Sequence, residues 1–286
     1  MRFFQPHFLV AVLFALAGCA ATPPSDEGAV ATSPARAEVA ASKDARETAR
    51  EYDGIAMQHV ARGEHAQAIE WYLKALSIRE GTLGATHPET LATHDSLAWA
   101  SLGRGDHEKA LEWYHKALSI REQSPSRDMT NRIANLENIA NVHQRQGNLN
   151  RALQWYGKSV ELREQAQGKE HPATITVYHR IARIYRSQDD YRNALAWYKK
   201  AFAIQEKNLG KHHPSIAALH TDIADVYFSQ GNYGLALSES LAAYRILVKR
   251  FGPQHLDSET VKANLEEIYK NTPHTKPFDD WLSENL

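Results

Sequence analysis

The sequence has almost no cysteine and almost no net charge, and both shortages exclude classes of function. Its 286 residues include one cysteine, Cys19, so no disulfide can form within the chain. The formal net charge is -1, which gives no overall attraction to nucleic acid or to an anionic membrane surface. We therefore expect no nucleic-acid partner, and any electrostatic recognition has to come from a local group of residues.

Motifs that carry catalysis are also lacking. The sequence contains no HExxH and no CxxC, and its glycine-rich segments have no strand before them that could form a phosphate loop. Its 15 histidines suggest a metal site at first sight. However, four of them recur at equivalent positions, which favours a role in helix capping or turns: His87, His171, His213 and His255. We expect no metal, no cofactor and no enzymatic activity.

The first residues combine a positive charge, a short apolar run and the cysteine. Arg2 precedes an apolar run over 8–17, which is too short to span a bilayer but typical of a signal peptide. The run leads into Leu-Ala-Gly-Cys, which resembles the bacterial lipobox and implies cleavage before Cys19 and acylation of its thiol. Ala20, rather than Asp, then implies an outer-membrane protein that faces the periplasm. An ordinary signal peptide with a chance cysteine, or a buried helix, is the alternative.

The composition changes after this segment. Residues 19–43 are rich in Ala, Thr, Pro and Ser and have few large apolar side chains, so they bury too little surface to offset chain entropy. We predict a signal peptide at 1–18 and an acylated cysteine with a disordered linker at 19–43.

The rest of the chain repeats itself with a period of 42 residues. The segment AIEWYLKALSIRE at 68–80 returns as ALEWYHKALSIRE at 110–122. Alanine, tyrosine, glycine and tryptophan each recur in register, the last at Trp71, Trp113, Trp155 and Trp197. Each unit has the pattern of two amphipathic helices with a glycine turn between them, and three of the junctions between units read Gly-x-x-His-Pro. The tryptophans are interpreted as core residues rather than as an aromatic ligand box.

This pattern resembles the tetratricopeptide repeat (TPR), and the 42-residue period with Gly-x-x-His-Pro resembles the kinesin-light-chain type of TPR. The resemblance covers roughly residues 46–251. It implies an all-α, right-handed TPR superhelix (α-solenoid) of about five helix-turn-helix repeats plus a C-terminal capping helix. We predict the solenoid and its cap at 44–270 and a tail at 271–286.

In the TPR family the first helices of successive units line a concave groove that binds a peptide. The resemblance implies that positions 180, 183 and 186 and their 42-residue equivalents face this groove. Their character changes from apolar to amide, guanidinium and acidic along the array: Met57, Trp99, Asn138, Asn141, Arg180, Arg183, Arg186, Asp222 and Asp225. This variation against a constant framework predicts a partner with acidic groups near the arginines and an apolar anchor near Trp99.

A structural interpretation of the same residues stays open. Arg180 and Arg183 could pair with Asp222 and Asp225 of the next unit, as an exposed inter-repeat ion pair worth about 0–1 kcal/mol.

The C-terminal sequence FDDWLSENL allows two interpretations. Kinesin light chains recognise tryptophan-acidic peptides, so Asp279, Asp280 and Trp281 resemble a ligand. The tail could enter the groove of its own molecule, or that of a neighbouring molecule and so cause self-association. The alternative is a short helix that packs Trp281 on the cap.

These patterns predict a membrane-anchored scaffold or adaptor that binds an envelope protein or peptide, with the N-terminal lipid as the membrane link. The alternative is an assembly factor for an envelope machine, such as a pilotin-like protein.

Overall fold

The structure is a computed structural model that describes residues 34–124 and 128–286. The described residues form twelve α-helices and no strand. Their bounds are α1 Pro34–Ala61, α2 His65–Thr82, α3 Pro88–Gly103, α4 His107–Gln123, α5 Met129–Arg145, α6 Leu149–Gln167, α7 Pro172–Ser187, α8 Tyr191–Leu209, α9 Pro214–Ser229, α10 Tyr233–Phe251, α11 Leu256–Lys270 and α12 Phe278–Glu284. The all-α prediction is confirmed.

The predicted signal peptide and Cys19 lie outside the described residues. Helix α1 begins at Pro34, so the predicted linker at 19–43 is helical over its last ten residues. The helical part reads PARAEVAASK, in which alanine, arginine, glutamate and lysine are strong helix formers. The bounds of the predicted linker and solenoid stay a prediction. None of the described helices combines the length and the apolar run that a membrane span needs.

Histidines cap the N-termini of three first helices of the repeats, α3, α7 and α9, and of the capping helix α11. In each case Nδ1 accepts a hydrogen bond from the backbone N–H two residues further on, at 3.2 Å. Proline follows three of these histidines, at a helix position where the missing N–H would have no partner. The four are His87, His171, His213 and His255. The predicted capping role is confirmed.

The turn inside each helix pair requires a left-handed residue. Gly147 has φ 76°, and the glycines one and two repeats earlier, with the one two repeats later, share this conformation. The fourth pair has Asp189 at this position, with φ 59°. The glycine column is therefore a backbone requirement that one aspartate also meets.

Consecutive helices pack on one another from α2 to α11, and the repeat columns form the contacts between them. The alanine column is fully buried, which lets the backbones approach closely: Ala68, Ala110, Ala152, Ala194 and Ala236. The tyrosine column is also buried, from Tyr72 to Tyr198. The tryptophans pack against the core while partly exposed, and each lies under a lysine ammonium 3.8–5.4 Å from a ring centroid. The tryptophan column is therefore core, as predicted.

A second repeated feature joins the helices of the first three units. A buried or nearly buried arginine near the end of each second helix pairs with an acid on the first helix of the same unit, at 2.5–2.7 Å. We call these pairs the arginine latches: Arg79–Asp53, Arg121–Asp95 and Arg163–Glu137. Two of them also reach the next unit, because Arg79 donates to Thr93 and Arg121 to Asn135. The equivalent positions in the fourth and fifth units hold Gln205 and Leu247, so the latches end after the third unit.

The C-terminal residues close the array. Trp281 and Phe278 contact the Tyr269 ring with centroids 5.0 Å and 5.4 Å away, and Leu282 is buried. The backbone carbonyl of Asn285 accepts a hydrogen bond from Arg245. The predicted tail therefore holds a further helix, and α11 is covered by α12 rather than by solvent.

Of the two interpretations of Trp281, the structure shows the packed one. Self-association through the tail would require α12 to leave α11, and it stays a prediction.

Candidate functional site

The residues predicted to line the groove lie on the first helices of the five pairs: α1, α3, α5, α7 and α9. The central position of the predicted site is exposed on four of these helices and half-buried on α5, while the preceding alanine is buried at 0–2% exposure on all five. We call the central positions the inner-face column: Met57, Trp99, Asn141, Arg183 and Asp225. The 2.8 Å contact from Arg186 to Asp225 joins α7 directly to α9, so these helices lie side by side on one face.

The first two units contribute an apolar surface. Met57 is 63% exposed and Trp99 is 51% exposed, which is unusual for side chains of this size. The His65 ring meets Trp99 edge-on, with centroids 6.1 Å apart, and leaves most of the indole accessible. This end of the column is suited to an apolar side chain of a partner.

The third unit contributes amides. Asn138 and Asn141 are half-buried, and within the described residues their side chains make no hydrogen bond. Each amide offers one acceptor and two donors, which matches the needs of an extended peptide backbone. The predicted role of the two asparagines thus has free groups to support it.

The fourth unit contributes the arginines. Arg180 donates to the Tyr156 hydroxyl at 3.4 Å, and this hydroxyl donates in turn to Gln144 at 3.4 Å. Arg183 is exposed and has no hydrogen bond or ion pair within the described residues. Arg186 is the one member of the trio that pairs with a carboxylate.

The inter-repeat pairs differ from those predicted. Arg180 and Arg183 pair with neither aspartate; instead Arg186 binds Asp225, and His179 lies 3.2 Å from Asp222. The residue that reaches Asp225 is Arg186, one helical turn after Arg183. The interpretation of Arg180 and Arg183 as partners in an inter-repeat ion pair is therefore wrong, while Arg186 does have this structural role.

Burial shifts the pKa values of two groups beside the arginines, Asp225 and Tyr156. Desolvation raises the pKa of Asp225, and the Arg186 guanidinium opposes that rise. The carboxylate remains half exposed, because the inner face surrounds it with protein while leaving one side open to water. Desolvation also raises the pKa of Tyr156, again opposed by its arginine neighbour, Arg180.

Tyr198 lies beneath the arginines and aspartates of the predicted site, although its sequence pattern predicted only a packing role. Its ring and its hydroxyl are both buried, and the hydroxyl has no hydrogen-bond partner among the described residues. Desolvation raises its pKa strongly, as does Asp222, while Arg186 and Arg183 lower it. The unpaired hydroxyl lies in the electrostatic field of the inner-face column. Its only sequence signal was membership of the tyrosine column, which indicated packing.

The family model for the Tetratricopeptide repeat matches residues 47–123, 132–207 and 176–249. The chain belongs to the tetratricopeptide repeat family. No curated protein matches this TPR protein in sequence. The TPR fold is a typically non-catalytic scaffold for protein–protein interaction, and the family assignment gives this chain that general role.

Solved structures similar to this TPR protein include kinesin-light-chain-like repeats. A Podosopora anserina protein described as a kinesin light chain with nearly identical TPR-like repeats superposes with a TM-score of 0.60, at 25% identity over 71% of this chain and 96% of that one. BtubC (BKLC) from P. vanneervenii gives 0.57 at 17% identity over 82% and 84%. RapI in its apo form gives 0.63 at 18% identity over 82% and 61%. The last two likenesses show the fold alone.

Proposed function

We propose that this TPR protein is a membrane-anchored adaptor that binds an acidic segment of a partner protein along the inner-face column. Arg183 carries the proposal. It is an exposed guanidinium with no counter-charge among the described residues. The equivalent positions on the neighbouring first helices differ in character from one helix to the next.

The free groups along the column match the parts of a peptide. The arginine fork suits a carboxylate in two-point contact, since it presents parallel N–H donors. The amides of Asn138 and Asn141 suit a peptide backbone, and the exposed Trp99 indole suits an apolar side chain. We infer an extended or helical segment with an acidic group at the fourth unit and an apolar anchor at the second.

The membrane link rests on the N-terminal sequence. The Leu-Ala-Gly-Cys motif directly after the apolar run supports acylation of Cys19, and Ala20 supports the outer membrane, with the repeats on the periplasmic side. The partner is then an envelope protein. Metabolic labelling with an alkyne fatty acid should label the wild type and leave Cys19→Ser unlabelled, and label on both proteins would refute the anchor.

The groove is tested by affinity capture from detergent-solubilised envelopes. We expect Arg180→Glu/Arg183→Glu to lose a partner that the wild type retains, because both arginines are exposed and can change without loss of fold. The matched control is Arg192→Glu/Lys199→Glu, which makes the same charge change on exposed residues of α8 in the same unit. A partner kept by the arginine variant, or lost equally by the control, would overturn the groove proposal.

A further inference from the structure

A second recess lies away from the inner-face column, where the fourth and fifth units meet. It has a volume of about 630 Å³ and lies between the ends of α8 and α10 and the start of α9. We call it the junction cleft. Its apolar walls are Leu209, Pro214 and Phe251, and its basic groups include Lys211 and Arg250. Ligand pockets in proteins are typically about 300–1,000 Å³, so the cleft can receive a large side chain.

Two large apolar side chains border the junction cleft and stay exposed to solvent. Leu209 and Phe251 hold equivalent positions, just before the glycines that follow α8 and α10, and are 48% and 43% exposed. The Phe251 ring stacks on His255 with centroids 4.6 Å apart, which holds it in place. These two side chains give the recess apolar walls that a partner's side chain can contact.

The charge around the junction cleft has one sign. Lys211 and Arg250 are exposed, and neither makes an ion pair within the described residues. No carboxylate lines the recess. The Nδ1 atom of His213 is occupied, because it caps α9 by accepting from the Ser215 N–H. Two cations beside an apolar recess are therefore left without a counter-charge.

We propose that the junction cleft is a second binding site, for a peptide segment that presents one large apolar side chain flanked by carboxylates. The apolar side chain enters between Leu209 and Phe251, and the carboxylates meet Lys211 and Arg250. The two cations among the lining residues favour an acidic peptide, since carboxylates complement their charge. The proposal is independent of the inner-face column, and a partner that uses both sites would gain avidity.

The experiment selects a displayed library of random twelve-residue peptides on the whole chain. Four proteins are compared: wild type, Lys211→Glu/Arg250→Glu, Lys169→Glu and Arg180→Glu/Arg183→Glu. Lys169 is the matched control, because it is exposed and occupies the position of Lys211 one junction earlier. The arginine variant removes peptides that bind the inner-face column. Circular dichroism of each variant confirms that the helices are retained.

We expect a class of peptides that pair a Trp, Phe or Leu with Asp or Glu. This class should bind the wild type, Lys169→Glu and the arginine variant alike, and at least tenfold more weakly to Lys211→Glu/Arg250→Glu. The proposal is overturned if no such class survives on the arginine variant, or if the class binds the cleft variant unchanged. Binding to phosphatidylglycerol vesicles that the cleft variant alone loses, without peptide selection, would also overturn it. If no selected peptide depends on Arg180 and Arg183, the adaptor groove is refuted while the cleft proposal stands.

Discussion

Replacement of Arg121 by alanine should destabilise the protein more than any substitution of an exposed charged residue. Arg121 is 4% exposed, and its guanidinium donates to both carboxylate oxygens of Asp95, at 3.2 Å and 2.7 Å. It also donates to Asn135 of the next unit. One side chain therefore joins α3, α4 and α5, and its loss opens contacts within a unit and between units.

The magnitude follows from what the truncation leaves behind. Removal of one partner of a buried ion pair typically costs about 3–5 kcal/mol, because the other charge stays buried without compensation. The Asp95 side chain is 29% exposed and keeps a 2.6 Å hydrogen bond from Asn135, so part of that penalty is relieved. We expect about 2–3 kcal/mol of lost unfolding free energy from Arg121→Ala.

Urea denaturation followed by circular dichroism measures this loss, and a double-mutant cycle with Asp95→Ala isolates the pair. The cycle should give a coupling of about 1–3 kcal/mol between the two residues. The control is Lys109→Ala, which breaks the exposed Lys109–Glu112 pair and should leave the midpoint unchanged. A midpoint for Arg121→Ala no lower than that of the control, or a coupling near zero, would refute the role of the latches.

Three further predictions concern other parts of the fold. Burial lowers the pKa of His94, so below about pH 6.5 the unfolded chain takes up a proton before the folded one does, and stability falls. Between pH 7.5 and pH 5.0, His94→Phe should therefore lose less unfolding free energy than the wild type. An equal loss in the two proteins would contradict this. Gly147→Ala should cost about 1 kcal/mol of unfolding free energy, because residue 147 has a φ of 76°. Gly157 lies inside α6 with open space where a Cβ would be added, so Gly157→Ala should stabilise the protein by about 0.5–1 kcal/mol. Thermal melts measure both effects, and effects of the same sign would refute the turn argument. Leu282→Ala should cost about 2 kcal/mol of unfolding free energy, since Leu282 is only 4% exposed. Leu286 is 59% exposed, so Leu286→Ala should unfold at the same midpoint as the wild type. Equal unfolding midpoints for the two variants would show that α12 does not stabilise the end of the array.

The sequence allowed the repeat architecture to be predicted because its columns encode local geometry. A histidine before proline, or a glycine at the turn, needs only its own helix ends to have an effect. His171 therefore capped α7 as expected, and Gly147 adopted a positive φ. Buried residues such as Tyr156 could be predicted equally well, since their period matches that of the helix faces that pack together.

Pairings between helices could not be predicted in the same way. Arg121 and Asp95 are 26 residues apart on different helices, and nothing in either position alone indicates that they meet. The predicted pairing of Arg183 failed by one helical turn, because the packing of α7 and α9 decides which arginine reaches Asp225. The junction cleft likewise depends on how three helix ends come together. Contacts of this kind depend on tertiary geometry, which no single-helix pattern contains.

The end of the latches after the third unit leaves the last two units without this kind of directional link. Gln205 and Leu247 hold the latch positions there. A hydrogen-bonded guanidinium–carboxylate pair fixes the orientation of the groups that it joins, whereas apolar burial has no preferred direction. The last two units should therefore adjust the angles between their helices more readily when a partner binds, and the fourth unit carries Arg183 of the inner-face column.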